Sequence, residues 1–221
     1  MNKLLQVAFA IALPLCSFAV EQTISLPAPD KAGGKPLMQS LTLRKTMRNY
    51  TGAALSKQDL SDLLYATWGV NRTEGSRVWF TVPTAVNAQD LVVYVALREG
   101  TYLYEPVQNT LQLLQEGDFR GQIGPRQPSQ YATSGAVFII ASDFAKLRKR
   151  VRNAPEEKLL AFANFHAGSA SQNLYLACAS KGLGTVVCAS IDTAAVVKHL
   201  NLPENIRVLY AQPVGTPVTQ Y

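Results

Sequence analysis

The chain has 221 residues, 48% of them hydrophobic and 16% charged, with a formal net charge of +6. That balance excludes disordered and collagen-like chains, and three cysteines are too few for a disulfide-stapled scaffold. A modest basic excess favours anionic ligands weakly and gives no argument for nucleic acid, so no nucleic-acid partner is expected.

Residues 1–19 hold one cation, Lys3, an apolar run from Leu4 to Leu15 broken by Pro14, and then Ser17-Phe18-Ala19. A basic start, a short apolar core and a small-x-small site describe a cleaved secretory signal. The run falls short of the ~20 apolar residues a membrane span needs. An exported, periplasmic protein without stable membrane insertion is therefore expected. An ordinary first helix is the alternative, and Leu15 disfavours a lipid anchor at Cys16. Residues 20–39, rich in Pro, Ala, Gly and Lys, read as a flexible tether. Residues 40–221, about 180 in number, then make one domain.

Ser40 is placed to cap a helix through Met47, with Leu43 and Met47 on one face. Ser56-Lys57-Gln58-Asp59 opens a second helix with a box-like cap, and Leu60, Leu63, Leu64 and Trp68 recur at helical spacing until Gly69. Gln89 to Leu97 is a β-rich run, Glu99-Gly100 a turn, and Thr101 to Glu105 its hairpin partner. Val137 to Ala141 reads as a continuously buried strand. The basic run Lys146, Arg148, Lys149, Arg150 and Arg152 lacks interleaved aromatics, so a solvated face is the ordinary reading and a phosphate-backbone site the alternative.

A long helix is expected from Pro155 to Lys181. Pro155 suits its first turn, Glu156 and Glu157 complement its dipole, and Gly182 ends it. Five small residues, Ala167 to Ser171, occupy its middle. They can admit a close-approaching partner helix or ligand, or pack within one subunit. Thr185 to Cys188 follows as a strand, Asp192 caps a short helix to His199, and Arg207 to Ala211 is the last strand. This mixed order predicts an α+β fold around a largely antiparallel sheet. Cys178, Cys188, His166 and His199 have no metal-ligand spacing, so no metal site is expected. The two cysteines read as small buried hydrophobes, with a bridge as the alternative.

Three segments carry candidate chemistry. Gly182-Leu183-Gly184 is not a dinucleotide fingerprint, because a helix precedes the glycines and a strand follows, the reverse of what phosphate binding requires. Arg44-Lys45-Thr46-Met47-Arg48 sets two guanidiniums four residues apart beside a hydroxyl. On a helix that arrangement is a receptor for a phosphate dianion, the alternative being a solvated basic face. Pro83-Thr84-Ala85-Val86-Asn87-Ala88-Gln89 runs into a strand and offers carboxamides to a heterocycle's edge, or is simply a capped turn.

Together these segments resemble the nitroreductase family of FMN-dependent oxidoreductases, nearest the branch that contains azoline (thiazoline/oxazoline) dehydrogenases. Arg44-Lys45-Thr46-Met47-Arg48-Asn49-Tyr50 is similar to the family's Arg-Arg-Ser-x-Arg-x-aromatic opening. Leu60 to Arg72, LSDLLYATWGVNR, is similar to its second helix and following loop, and Pro83 to Gln89 stands where the family has Pro-Ser-Ala-x-Asn. Ser171-Gln172-Asn173-Leu174 with Gly182-Leu183-Gly184-Thr185 is the strongest match. The likeness spans Leu41 to Gly215.

The resemblance implies a homodimer with FMN at the subunit interface, passing hydride through flavin N5 to or from a small nitroaromatic, quinone or azoline-like substrate. NADH or NADPH is one candidate donor. It places Arg44, Thr46 and Arg48 on the FMN phosphate with Lys45 beside them, and Pro83, Thr84 and Asn87 along one side of the isoalloxazine. Cys188, Ala189 and Ser190 then follow the other edge, with the Ala189 N–H on N5, so no catalytic side chain is required. The sequence departs from the family in Cys188-Ala189-Ser190, where Ser or Gly is frequent, and in Thr84 and Val86, which replace smaller residues. Pro217 to Tyr221 lacks the cation that often reaches the phosphate. A flavin-binding scaffold without turnover is the alternative function.

Overall fold

The computed structural model describes residues 22–219, so the expected leader at 1–19 and Cys16 lie outside the described residues. In chain order the elements are β1 (Thr23–Ser25), α1 (Leu37–Leu43), α2 (Lys57–Trp68), β2 (Val70–Glu74), β3 (Arg77–Phe80), β4 (Leu91–Ala96), β5 (Gly100–Glu105) and β6 (Thr110–Glu116). They continue with α3 (Arg120–Ile123), α4 (Pro128–Ala132), β7 (Ala136–Asp143), α5 (Phe144–Arg150), α6 (Glu156–Lys181), β8 (Gly184–Thr185), α7 (Thr193–Leu200) and β9 (Ile206–Gly215).

Seven strands form one sheet in the order β1-β6-β5-β4-β7-β9-β8, and each pairing is antiparallel. β2 and β3 make a separate hairpin. Val93, Val95, Phe138 and Ile140 join one core with Leu63, Leu64 and Trp68 of α2 and Ala167, Ala170 and Leu174 of α6. Their neighbours Tyr94, Val137, Ile139 and Ala141 face the other way, against Ile123, Tyr131, Val196 and Leu200. Both faces of β7 are thus covered, which is why its sequence is an unbroken apolar run. The α+β fold with a mainly antiparallel sheet agrees with the sequence reading.

Local signals set several boundaries. Ser56 accepts from the Asp59 N–H, and its hydroxyl donates to the Asp59 carboxylate. Asp192 accepts from the Ala195 N–H. Pro155 is the N-cap of α6, and Gly182, at φ 72°, takes the left-handed cap position. The 26 residues of α6 make a rod about 39 Å long at ~1.5 Å per residue.

The small residues of α6 divide by face. Ala167, Ala170 and Ser171 are buried against the subunit's own sheet, and Ala163 is buried in a separate cluster with Phe144, Leu147 and Leu159. Gly168 is exposed, and a Cβ there would meet nothing within 4 Å. Packing within one subunit therefore accounts for Ala167, Ala170 and Ser171, while Gly168 lies on an outer face with Phe165, Ser169 and Gln172. Ser171 Oγ donates to Gln212 Oε1 at 2.8 Å, inside the layer between α6 and β9.

Three expectations are corrected. Residues 22–39 do not stand off as a tether: β1 pairs with β6, Ile24 is buried, and the Lys35 N–H donates to Ser180 Oγ at 2.6 Å. The first helix spans Leu37–Leu43 with Pro36 as its N-cap, so Ser40 lies inside it, and it ends before Met47 because residues 47–51 bond to strand ends instead. The strand expected at Thr185 to Cys188 is only Gly184–Thr185, followed by a single bridge from Cys188 to Ala211.

Lys181 fastens the far end of α6. Its Nζ donates to Asp62 at 2.6 Å and meets Asp59 at 3.0 Å, while Asp62 also accepts from the Asp30 N–H and Gln58 Nε2. Burial raises the Asp62 carboxyl, but its hydrogen bonds from Lys181, Asp30 and Gln58 and the charge of Lys181 together hold it below the usual range. Burial likewise opposes the charged form of Lys181, yet its two carboxylate partners raise it. Asp62 therefore adds stability above its unfolded value near ~3.9, lost as pH falls through the folded value; the Lys181 contribution is lost only as pH rises past ~10.4. Asp62→Asn is expected to cost about 1 kcal/mol at neutral pH and to flatten the loss of stability on acidification. Thermal unfolding at neutral and acid pH measures both.

Candidate active site

Residues 44–49 form no helix, so Arg44 and Arg48 do not project from one helix face. The Met47 N–H donates to the Thr185 carbonyl at 3.0 Å, the Thr51 N–H donates to the Thr216 carbonyl at 2.9 Å, and Tyr50 bridges to Pro217. Tyr50 is buried, its hydroxyl 2.7 Å from the Met47 carbonyl and 3.2 Å from that of Pro213. Two glycines let the segment lie this close. A Cβ on Gly184 would stand 3.0 Å from Met47 Cβ, and one on Gly215 3.0 Å from Tyr50 Cβ and 3.1 Å from the Gly135 nitrogen. Gly184 thus serves close backbone approach rather than a phosphate loop.

Tyr175, which no motif singled out, organises the same segment. Its hydroxyl accepts from the Val187 N–H at 3.0 Å and lies 3.4 Å from Thr46 Oγ1, and the Arg44 guanidinium sits over its ring at 5.5 Å from the centroid. Burial pushes the neighbouring Cys178 thiol well up, so it is held as an unreactive thiol. Cys178 and Cys188 are both free.

Arg48 lines a cavity of about 300 Å³ with Arg126, Tyr131, Cys188, Ala189 and Ser190. Cys188 is tied down by an N–H donated to the Ala211 carbonyl at 2.8 Å. Ala189 and Ser190 are exposed, and neither of their N–H groups has an acceptor among the described residues. Two guanidiniums and two uncommitted N–H donors around one cavity form a receptor for an anionic or carbonyl-bearing ligand. Arg126 supplies the second cation of this cavity. Its only sequence signal is a Gly124-Pro125-Arg126-Gln127-Pro128 loop, too generic to single out.

Lys45 lines a different cavity, of about 270 Å³, with Lys35, Met47, Tyr175 and Gly182. Pro83, Thr84 and Asn87 line a third, of about 410 Å³, with Arg72, Trp79 and Gln89. The structure therefore brings Arg48, Cys188, Ala189 and Ser190 together and keeps Pro83, Thr84 and Asn87 apart from them. The turn at Pro83 meets α6 at His166, whereas Thr46 meets it at Tyr175. Nine residues of helix separate those points, about 13 Å along the axis.

A model described as the nitroreductase family matches residues 41–216. The chain belongs to the nitroreductase family. Its members are typically flavin-dependent oxidoreductases, and the chain is an oxidoreductase of that family by this measure. It is 26% identical over 204 residues to a nitroreductase-family protein of Methanocaldococcus jannaschii, covering 89% of this chain and 98% of that one. A solved nitroreductase-family structure from Ralstonia eutropha JMP134 is 32% identical, with a TM-score of 0.78 over 90% of this chain and 91% of that one. A structure from Desulfovibrio desulfuricans in complex with FMN shares the fold at 19% identity, with a TM-score of 0.60 over 85% and 90% of the two chains.

The glycine contacts carry a test. Gly215→Val is expected to push Tyr50 and the Met47–Tyr50 segment outwards, because the Gly135 backbone leaves no room on the other side. A loss of about 1–3 kcal/mol in stability, read by urea unfolding, is the expected outcome for overpacking at this contact.

Proposed function

We propose that the protein is an FMN-dependent oxidoreductase of nitroreductase type that works as a homodimer on a small organic substrate. The observation that carries this reading is the cavity shared by Arg48, Arg126 and the exposed Ala189 and Ser190 N–H groups. Its donor set fits FMN: guanidiniums suit the phosphate or the pyrimidine carbonyls, and a backbone N–H suits a ring nitrogen. When bound, FMN supplies a two-electron hydride acceptor and donor. The residues bind and orient it. Arg44 and Thr46, steadied by Tyr175, and Arg48 hold its charged end, while Ala189 offers its N–H at the ring edge.

The separation of Pro83, Thr84 and Asn87 from Arg48 supports a site completed by a second copy. So does the outer surface of α1 and α6, where Leu37, Met38 and Phe165 are each more than 60% exposed. Nitroaromatics, quinones and azolines all suit a flat flavin face, the last in keeping with the azoline dehydrogenase-like branch. The leader expected at residues 1–19 supports work outside the cytoplasm, where NADH and NADPH are scarce and a different reductant, or oxidase turnover, takes their place. No helix of the described residues is long and apolar enough to cross a membrane.

Titration of the purified protein with FMN, followed by flavin absorbance, tests the cofactor. Arg48→Ala is expected to weaken binding by on the order of 2 kcal/mol, about thirtyfold. Unchanged affinity overturns the assignment of Arg48. Bound FMN that neither donor nor substrate reduces or reoxidises would favour the scaffold reading instead.

Assembly has its own test. Gly168→Leu adds a side chain where the single subunit has open space, so it leaves a monomer unaffected. In a dimer joined through this face it is expected to cost about 1–3 kcal/mol by overpacking, seen as dissociation in sedimentation at micromolar protein.

A further inference from the structure

The Pro83–Gln89 turn is held in a conformation its residues do not favour. Val86, Asn87 and Gln89 have φ of 47°, 53° and 51°, and Val86 is β-branched. Left-handed backbone at non-glycine residues persists only where the surroundings over-determine it. Part of the restraint is local: the Asn87 N–H donates to the Thr84 carbonyl and the Gln89 N–H to Thr84 Oγ1, each at 3.0 Å. Gln89 Nε2 donates to the Val78 carbonyl at 2.7 Å.

The rest comes from beneath. The Ala85 N–H donates to His166 Nε2 at 2.7 Å. An accepting Nε2 carries no proton, so the ring proton is on Nδ1, which lies 2.8 Å from Asp90 Oδ1. Nδ1 and Oδ1 are both buried and neither has a hydrogen-bond partner of normal geometry among the described residues, so the 2.8 Å contact between them is the polar pairing each has there. Asp90 Oδ2 accepts from the Ser142 hydroxyl at 2.6 Å, and the Asp90 carbonyl accepts from the Asp143 N–H at 2.7 Å. His166, Asp90 and Ser142 are all 0% exposed. The two ends of the turn, Ala85 and Asp90, are thereby tied to α6 and to β7 through one continuous chain of polar groups.

We propose that Ser142, Asp90 and His166 form a buried relay that positions the Pro83–Asn87 wall of the site. His166 and Asp90 are positioning residues: they touch no ligand and act through the backbone of Ala85. Asp90 fixes the ring and its tautomer, His166 fixes the turn, and the turn presents Pro83, Thr84 and Asn87. The contribution of this wall to FMN binding rests on the cofactor reading given above; the hold on the turn does not.

Amide hydrogen exchange on the full protein tests the relay without any ligand. His166→Phe keeps the ring and removes the acceptor; His166→Gln keeps an acceptor near the Nε2 position. The expected result is an about tenfold faster exchange of the 84–89 amides in His166→Phe, with the amides of 170–180 unchanged, and return to within about threefold in His166→Gln. Equal exchange in the unaltered protein and a folded His166→Phe variant overturns the relay, as does equal acceleration in both variants. Should His166→Phe fail to fold, Ser142→Ala, at the far end, is expected to speed the same amides by a smaller factor, and no change there overturns the relay as well.

FMN titration of the same variants is the second arm. About tenfold weaker binding in His166→Phe and recovery in His166→Gln support the link from relay to site. Faster exchange with unchanged FMN affinity overturns that link while leaving the hold on the turn established. An unaltered protein that binds no FMN fails the cofactor reading alone, and the exchange result still decides the relay.

Discussion

How closely a long helix can lie on a sheet is limited by the size of the side chains between them. In this protein that constraint falls on Ala167, Ala170 and Ser171, which bring α6 down onto β4, β7 and β9. The residues that bury little area individually permit the larger ones to bury theirs: Leu174, Val93, Val95, Phe138 and Ile140 close the same core. Two points along the helix each receive a segment of the candidate site: the Pro83 turn at His166 and, further on, the Arg44 segment at Tyr175.

That layout decides what the site can be. Residues 44–49 form no helix, so Arg44 and Arg48 share no helix face, and Gly184 and Gly215 admit the segment against β8 and β9. Ala189 and Ser190 follow immediately after a bridge that commits Cys188, so their N–H groups face solvent rather than a strand. The polar groups that would meet a ligand are therefore mostly main chain and guanidinium, with no acid–base pair between them. Such a surface suits a cofactor that brings its own chemistry.

Elements bounded by their own local chemistry were legible in the sequence. The Ser56 cap, the Pro155 and Gly182 ends of α6, the Asp192 cap and the covered strand β7 each depend on residues a few positions apart. The helix expected through Met47 was lost because partners more than a hundred residues away, Thr185 and Pro217, took its backbone groups. The hairpin of β2 and β3 carries few apolar residues on β2 and so gave no alternation to read. The resemblance named Arg48 and Cys188 to Ser190, which do share a cavity, and it named Pro83, Thr84 and Asn87, which line another. Arg126, Tyr175 and the Asp90–His166 pair went unnoticed, since each matters through what stands beside it in space and none belongs to a motif. The solvated reading of Lys146 to Arg152 fits α5, whose last turn holds three cations and where Arg148 pairs with Glu156.

The amide of Gln212 settles something the apolar layer cannot. Apolar side chains of similar size tolerate a helix turning about its own axis, since dispersion has little direction. Gln212 Oε1 accepts from Ser171 Oγ, and its Nε2 stands 3.4 Å from the Ser171 carbonyl, with both residues in the dry interior. A one-residue slip of α6 rotates it by about 100° and strands that amide without partners. The pair therefore acts as a key in a slot. It fixes the azimuth of the whole rod, and with it the direction in which Gly168 and Phe165 look outwards.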